Sequence, residues 1–265
     1  MLQLNHIAKY YFRGTPNEVA ALNDVTLEIR DGDFISVIGS NGAGKSTMLK
    51  TIAGLILPDQ GTILLQGRQI THEPVYRRAM HIGRIAQDPN ESTCAVMSIE
   101  ENLAMAARRG QRRGLRRAVT SGNRADFRRA LSEMGLGLEA RLARRVGTLS
   151  GGQRQALALL MATLAQPKLL LLDEHLASLD PKTAELVMQL TNKLVTEHRL
   201  TTLMVTHNMN QALRWGNRLI MMHEGRTILD VEGDQKSQLR VNDLVMRFHE
   251  ASREELSVDR ILLAL

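Results

Sequence analysis

Cysteine is almost missing from this chain. Cys94 is the only one, so no internal disulfide can form, and a reducing compartment suits the protein. Aromatic residues are scarce at 3% against 43% hydrophobic overall, so packing must rest on Leu, Ile, Val, Met and Ala. No apolar run approaches the ~20 residues that a membrane-spanning helix needs. Any membrane role must therefore come through a partner. Met1-Leu2-Gln3-Leu4 lacks a basic stretch followed by an apolar one, so no secretory leader is expected. There is no internal repeat and no low-complexity linker. What remains, at 265 residues, is an ordinary globular composition with ample length for a buried core.

Charge of one sign is concentrated in one place. Arg108, Arg109, Arg112, Arg113, Arg116, Arg117, Arg124, Arg128 and Arg129 share their stretch with a single acid, Asp126. That segment carries +8 of a total of +6, so the rest of the chain is slightly acidic, at −2. Three readings of the cluster stand: a solvated helical face, a patch facing an anionic membrane, or a nucleic-acid contact. Against nucleic acid, the segment holds one aromatic for base stacking, Phe127.

The hydrophobic pattern is β-rich at first. Residues 2–8 and 25–29 alternate, and 34–38 form a short apolar run entering a Gly-rich turn. A helix is expected over 45–53, closed by Gly54 and then Pro58. Residues 62–65 and 81–85 read as strands. The character then turns helical: Ser98 and Glu101 form a capping box that opens a helix through Arg109. Residues 125–134 and 153–164 also read as helices. From Pro167 strand and helix alternate again, with an all-apolar strand at 169–172 and a helix from Asp180-Pro181 to about His198. A strand at 202–206, a short helix at 208–215 and a hairpin of 218–222 with 227–231 around Glu224-Gly225 follow. The tail from Gly233 is polar with one amphipathic helix, 241–251. This order predicts an α/β core carrying a helical insert.

Gly39-Ser40-Asn41-Gly42-Ala43-Gly44-Lys45-Ser46, followed by Thr47, matches the phosphate-loop pattern G-x-x-x-x-G-K-[ST] between an apolar strand and a helix. Glycines let the backbone N–H groups turn inward around a triphosphate, and the helix N-terminus adds positive potential. Lys45 is then expected on the β- and γ-phosphates and Ser46 on Mg²⁺. A glycine-rich turn that binds nothing is the plain alternative, and an eight-position match in this context argues against it.

Leu169-Leu170-Leu171-Leu172-Asp173-Glu174 reads as a strand buried on both faces that ends in two acids. Beside the phosphate loop, Asp173 would hold a Mg²⁺-coordinating water and Glu174 would polarise the attacking water. Leu149-Ser150-Gly151-Gly152-Gln153 ends 20 residues before Asp173 and opens a helix, giving a second helix N-terminus with bare N–H groups and a hydroxyl.

With these motifs in this order the chain resembles the ATP-binding-cassette (ABC) family, over roughly residues 1–232. The resemblance identifies Gln87 as the Q-loop glutamine, Ser178-Leu179-Asp180 as the D-loop, and His207, 34 residues after Asp173, as the switch histidine. It implies an α/β fold: a P-loop NTPase core (ABC ATPase) with a β-rich N-terminal subdomain and an inserted helical subdomain. The core would comprise 1–92 and 166–232, the helical subdomain about 93–165, and 233–265 a C-terminal helical tail. ATP and Mg²⁺ are the implied cofactors. Catalysis would fall to Glu174, His207 and Gln87, and the metal to Ser46, Gln87 and Asp173. Tyr11 is similar to the aromatic that stacks on adenine, with Tyr10 and Phe12 as neighbouring candidates. The family pairs two subunits head to tail, so that the signature residues Ser150, Gly151, Gly152 and Gln153 would meet the nucleotide held by the partner's phosphate loop, with Asp180 of the D-loop also expected on nucleotide. Two anion-binding helix ends in one chain agree with a ligand shared across a two-fold axis.

One departure from the family pattern follows Glu174, where the usual Pro-Thr is replaced by His175-Leu176. Both acids and Asp180 remain, so hydrolysis is expected. Asn17-Glu18, Ala21-Leu22-Asn23, residues 173–179 and Arg-Arg-Gly-x-Arg-Arg-Gly-Leu at 108–115 resemble importer subunits paired with branched-chain-amino-acid-like permeases, some for aromatic amino acids. The implied partners are a second ATPase subunit, forming a homodimer or heterodimer, an integral membrane permease and, indirectly, a solute-binding protein. The expected location is the cytoplasmic face of the plasma membrane, with no nucleic acid bound. The alternative is a non-transport ABC ATPase serving a soluble enzyme complex or acting on nucleic acid.

Overall fold

The computed structural model describes residues 1–111 and 117–262, without side chains for Pro89 and 253–262. The chain begins β1 (Leu2–Tyr11), β2 (Val19–Ile29), β3 (Phe34–Gly39), α1 (Lys45–Ala53), β4 (Gln60–Leu65), β5 (Arg68–Gln69), α2 (Val75–Arg78), β6 (Ile82–Ile85), α3 (Pro89–Ser92) and α4 (Ile99–Ala107). It continues α5 (Ser121–Ser132), α6 (Gly151–Thr163), β7 (Leu169–Asp173), α7 (Pro181–His198), β8 (Thr201–Val205), α8 (Met209–Arg214), β9 (Arg218–His223), β10 (Arg226–Glu232), α9 (Gly233–Gln238) and α10 (Val241–Leu262). Two compact units result: Met1–His72 with the chain from Met204 onward, and Glu73–Leu203.

In the first unit, β2, β1, β4 and β5 make an antiparallel sheet in that order. Its pairing runs from Leu2↔Ile29 to Tyr11↔Val19, and Leu2 also faces Leu65 on β4. β1 and β2 are thus longer than the apolar alternation at 2–8 and 25–29 suggests. The extra residues pair through their backbones (Lys9↔Leu22, Tyr10↔Ala20), and backbone pairing needs no apolar pattern. Elsewhere β3 runs parallel to β9, with Val37 beside Ile220, and β10 returns antiparallel to β9 around Glu224-Gly225. Ile38, Ala212, Leu219, Met221 and Leu244 form one buried cluster, with Phe248 packed against it. The tail therefore belongs to this unit's core. Among its described residues the tail also holds two helices where one was expected, because the polar α9 has no apolar periodicity to announce it.

In the second unit, β6 and β7 pair in parallel from Ile82↔Leu169 to Ile85↔Leu172, and all five β7 residues are buried. Ile99, Leu103, Phe127, Leu131, Leu138, Val146, Leu157 and Leu160 close a helical core. Removing such side chains from water contributes roughly 1.5–3 kcal/mol each. The Ser98–Glu101 capping box opens α4 as expected: Ser98 N donates to Glu101 Oε2 at 2.7 Å and Glu101 N to Ser98 Oγ at 3.3 Å. α5 starts four residues ahead of the expected position because Thr120 and Asn123 form a second reciprocal box.

Among the described residues the basic run is not one solvated face. Arg109 turns inward and donates to Met161 O at 3.0 Å and Ala162 O at 3.2 Å, where the last carbonyls of α6 lack helical partners. Arg124 makes a fork onto Glu100, at 2.6 and 2.8 Å, and Arg108 donates to Arg117 O at 2.6 Å. Arg117, Arg128 and Arg129 are exposed. Arg112, Arg113 and Arg116, with Gly114 and Leu115, lie outside the described residues. Among the described residues no helix is long and apolar enough to cross a membrane.

Candidate active site

The phosphate loop belongs to the first unit, and its first and last glycines are fixed by neighbours. A β-carbon at Gly39 would strike the Met222 carbonyl, and one at Gly44 the Ala21 carbonyl. Gly44 also has φ 92°, a left-handed value at the N-cap of α1 that other residues rarely adopt. Lys45 is buried and its Nζ donates to Gly39 O at 2.9 Å and Ser40 O at 2.8 Å. The ammonium thus sits within the loop's own curve. Asn41 and Gly42 are exposed, while Ser40, Ser46 and Thr47 are half-buried. Gly225, at the β9–β10 turn, donates to Ala43 O at 3.2 Å and accepts from Asn23 N at 2.9 Å. Nothing in the sequence beyond a turn dipeptide points to Gly225 as a brace for this loop.

His207 belongs to the same unit. Thr206 N donates to Val37 O at 3.1 Å, so the chain leaves β8 beside the strand that feeds the phosphate loop. Thr206 Oγ1 accepts from Asn208 N at 3.1 Å, which folds the backbone tightly around an exposed His207. Tyr11 ends β1 half-buried, with the Lys9 ammonium 6.0 Å from its ring centroid. Tyr10 is covered by the Arg13 guanidinium at 5.4 Å, and Phe12 is 71% exposed.

The second unit carries the acids. The parallel register that sets Ile85 beside Leu172 brings Gln87 level with Glu174 two residues further on. Gln87 Nε2 indeed donates to Glu174 Oε2 at 3.2 Å. Asp173, the last residue of β7, is buried at 3% exposure, whereas Glu174 is half-buried and left-handed at φ 44°. His175 packs inward against α7, 3.5 Å from Thr191 Oγ1, and burial pushes its imidazole down to about 4. Both residues that depart from the family pattern, His175 and Leu176, are therefore buried and do not face solvent.

Ser150 caps α6 in the same unit. Gln153 N donates to Ser150 Oγ at 3.3 Å and Ser150 N to Gln153 Oε1 at 3.3 Å. Asp180 caps α7 by accepting from Thr183 N at 3.1 Å, and hydrogen bonds from the Thr183 side chain and amide hold its carboxyl below the usual range. The two caps are neighbours: a β-carbon at Gly151 would sit 3.3 Å from Leu179 Cδ2, and one at Gly152 would strike Thr183 Cγ2. Exposed Ser150, Gly151 and Asp180 thus share one polar edge at two adjacent helix starts, where the helix dipoles favour an anion.

Comparison with known proteins names the arrangement. The family described as ABC transporter matches residues 22–177, more than half of the chain. The chain belongs to the ABC transporter family. It is 43% identical to the tyrosine transport ATP-binding protein of Clostridioides difficile (strain R20291) over 95% of this chain and all of that one. It is 38% identical to the phosphonates import ATP-binding protein PhnC of Halobacterium salinarum, over 80% of this chain and 74% of that one. Among solved structures, a dimeric post-hydrolysis state of the ATP-binding cassette MJ0796 bound to ADP and Pi matches with a TM-score of 0.73 and 30% identity. That match covers 88% of this chain and 98% of the other. This ABC protein therefore has the P-loop NTPase α/β fold expected of it, binds ATP and hydrolyses it as a transporter ATPase.

The residues also suit Mg²⁺. In the first unit Ser46 offers a hydroxyl, and in the second Gln87 offers an amide oxygen and Asp173 a buried carboxylate, each the kind of hard oxygen donor that Mg²⁺ takes. Among the described residues no cluster of three or more His, Cys, Asp or Glu side chains forms. Mg²⁺ is ordinarily held by one or two carboxylates with phosphate and water completing the shell, so it does not require such a cluster.

Proposed function

We propose that this ABC ATPase drives a membrane importer of a small solute, working as a dimer that ATP closes and hydrolysis releases. The likeness to proteins named for tyrosine transport and phosphonate import supports a small solute as cargo. On this reading residues 1–232 form the ATPase domain, with 93–165 as its inserted helical part and 233–265 as a tail. The partners are a second ATPase subunit, a permease and, through it, a solute-binding protein. The chain sits at the cytoplasmic face of the plasma membrane by way of the permease.

Within one protomer, Tyr11 stacks on adenine while the N–H groups of 39–47 and the Lys45 ammonium hold the phosphates. Ser46, Gln87 and Asp173 would hold Mg²⁺, which would supply positive charge to offset that developing on the phosphates. Glu174 accepts the proton of the attacking water, and His207 contacts the γ-phosphate. From the partner, Ser150, Gly151, Gly152, Gln153 and Asp180 complete the shell. The observation that carries the reading is the Gln87–Glu174 hydrogen bond of 3.2 Å. It ties the water-polarising carboxylate to the loop entering the helical insert, so chemistry and the permease-facing part share one contact.

Glu174→Gln tests it. The variant should bind ATP, lose turnover by about 10²–10⁴-fold, and elute as a dimer by size exclusion in ATP. Unchanged phosphate release would remove Glu174 from this role, and co-purification with a soluble enzyme in place of a permease would defeat transport.

A further inference from the structure

Arg154 follows Gln153 in the first turn of α6, and its guanidinium leaves that helix for the loop that carries Gln87. Its Nε donates to Thr93 Oγ1 at 2.8 Å and its Nη2 to Asn90 Oδ1 at 2.7 Å. Thr93 is buried, so this is no loose surface contact. The loop is knotted so that a pull on Asn90 reaches Gln87. Asn90 N and Nδ2 both donate to Asp88 Oδ1 at 2.8 Å, and Glu91 N donates to Asp88 O at 3.0 Å. Ala86 N donates to Ser92 Oγ at 3.1 Å, and Arg84 grips Glu91 at 3.3 and 3.4 Å. Residues 86–93 are thus cross-tied over their whole length, with Gln87 inside the knot and bonded to Glu174.

At its other end Arg154 is four residues from Ser150, and Arg154 N donates to Ser150 O at 2.9 Å. One guanidinium therefore joins the Ser150 helix start to the Gln87 loop. A planar fork with two fixed acceptors transmits displacement better than a single flexible ammonium.

We propose that Arg154 is a positioning residue that couples the two nucleotide contacts of one protomer. When Ser150 takes up phosphate from the partner's ATP, the first turn of α6 shifts. Arg154 carries Asn90 and Thr93 with it, and Gln87 is set against Glu174. Each protomer's own carboxylate is thereby readied by occupancy of its Ser150 edge. This rests on the composite dimer proposed above.

Arg154→Met, which keeps the stem and removes the fork, tests it in the full chain, with Thr93→Val as a near-isosteric partner from the loop side. Steady-state ATP hydrolysis and hydrogen exchange of residues 86–93 are the readouts. Wild type should hydrolyse ATP cooperatively, and ATP should protect 86–93. In both variants kcat should fall about tenfold with KM nearly unchanged. The Hill coefficient should drop to about one, and ATP should protect residues 150–154 but no longer 86–93. Wild-type kcat, cooperativity and protection in both variants would overturn the proposal. So would a lowered melting temperature with unaltered cooperativity, which marks a merely structural tie. If Arg154→Met fails to fold, Thr93→Val decides alone. Wild-type turnover independent of protein concentration would instead sink the dimer on which the coupling rests.

Discussion

Two helices that begin side by side leave no room for a β-carbon at Gly152, which would run into Thr183 Cγ2. Thr183 is β-branched and sits in the first turn of α7, where its amide is held by Asp180, so its methyl has few ways to turn aside. Gly152→Ala should therefore push α6 and α7 apart at their exposed starts. The expected cost is about 1–3 kcal/mol in chemical denaturation, with a loss of ATPase because Ser150 and Asp180 share this edge. Adding Thr183→Ala removes the obstructing methyl and should restore most of the stability. If the double variant is no better than Gly152→Ala alone, the clash is not the reason for glycine here. The sequence named Gly152 as part of a phosphate-binding helix start. It gave no hint of the second demand on the residue, which comes from a neighbour 31 positions away.

At the scale of elements, α9 matters through one side chain. Lys236 is buried at 4% exposure and donates to Trp215 O at 2.5 Å and Gly216 O at 2.6 Å, closing the end of α8. Burial pulls its ammonium down to about 8. The unfolded chain then binds a proton between pH 8 and the ordinary lysine value near 10.4 that the native chain releases, so stability rises with pH across that window. Below pH 8 both states are protonated and the slope vanishes. Unfolding measured from pH 7 to 10.5 should show this gain, at most about 3 kcal/mol, in wild type and not in Lys236→Met. Parallel pH profiles would remove Lys236 as the cause. This contact was invisible in the sequence, because a lysine in a polar stretch reads as solvated. The elements that were legible carry local signals: α1 between its two glycines, α4 behind its capping box, α7 behind Asp180-Pro181, and β7 as four leucines. The ones missed depend on distant partners. The first half of β2 exists because β1 pairs with it, and Arg109 turns inward because the end of α6 needs donors.

For the whole molecule, the question is how many chains make one working centre. Lys45 with its loop is one proposed phosphate-binding helix start and Ser150 with its glycines is another, and each has its local hydrogen bonds in place. Were both to serve a single chain's nucleotide, turnover per chain would be constant on dilution. Were they shared between two chains, mass action would make activity per chain fall once protein drops below the dimer dissociation constant. The second outcome is expected. Ser150→Arg separates the two further, since an arginine at an exposed cap should block closure while Lys45 still binds nucleotide. Its ATP affinity at low protein concentration should match wild type, and its hydrolysis should be lost at every concentration. Mixing it with Lys45→Ala, which keeps an intact Ser150 edge but lacks the phosphate-binding ammonium, should restore some activity. In the mixed pair one centre joins a functional Lys45 loop to a functional Ser150 edge, while the other lacks both. Neither variant can supply such a centre alone, so recovery on mixing would place the two halves on different chains, and its absence would place them on one.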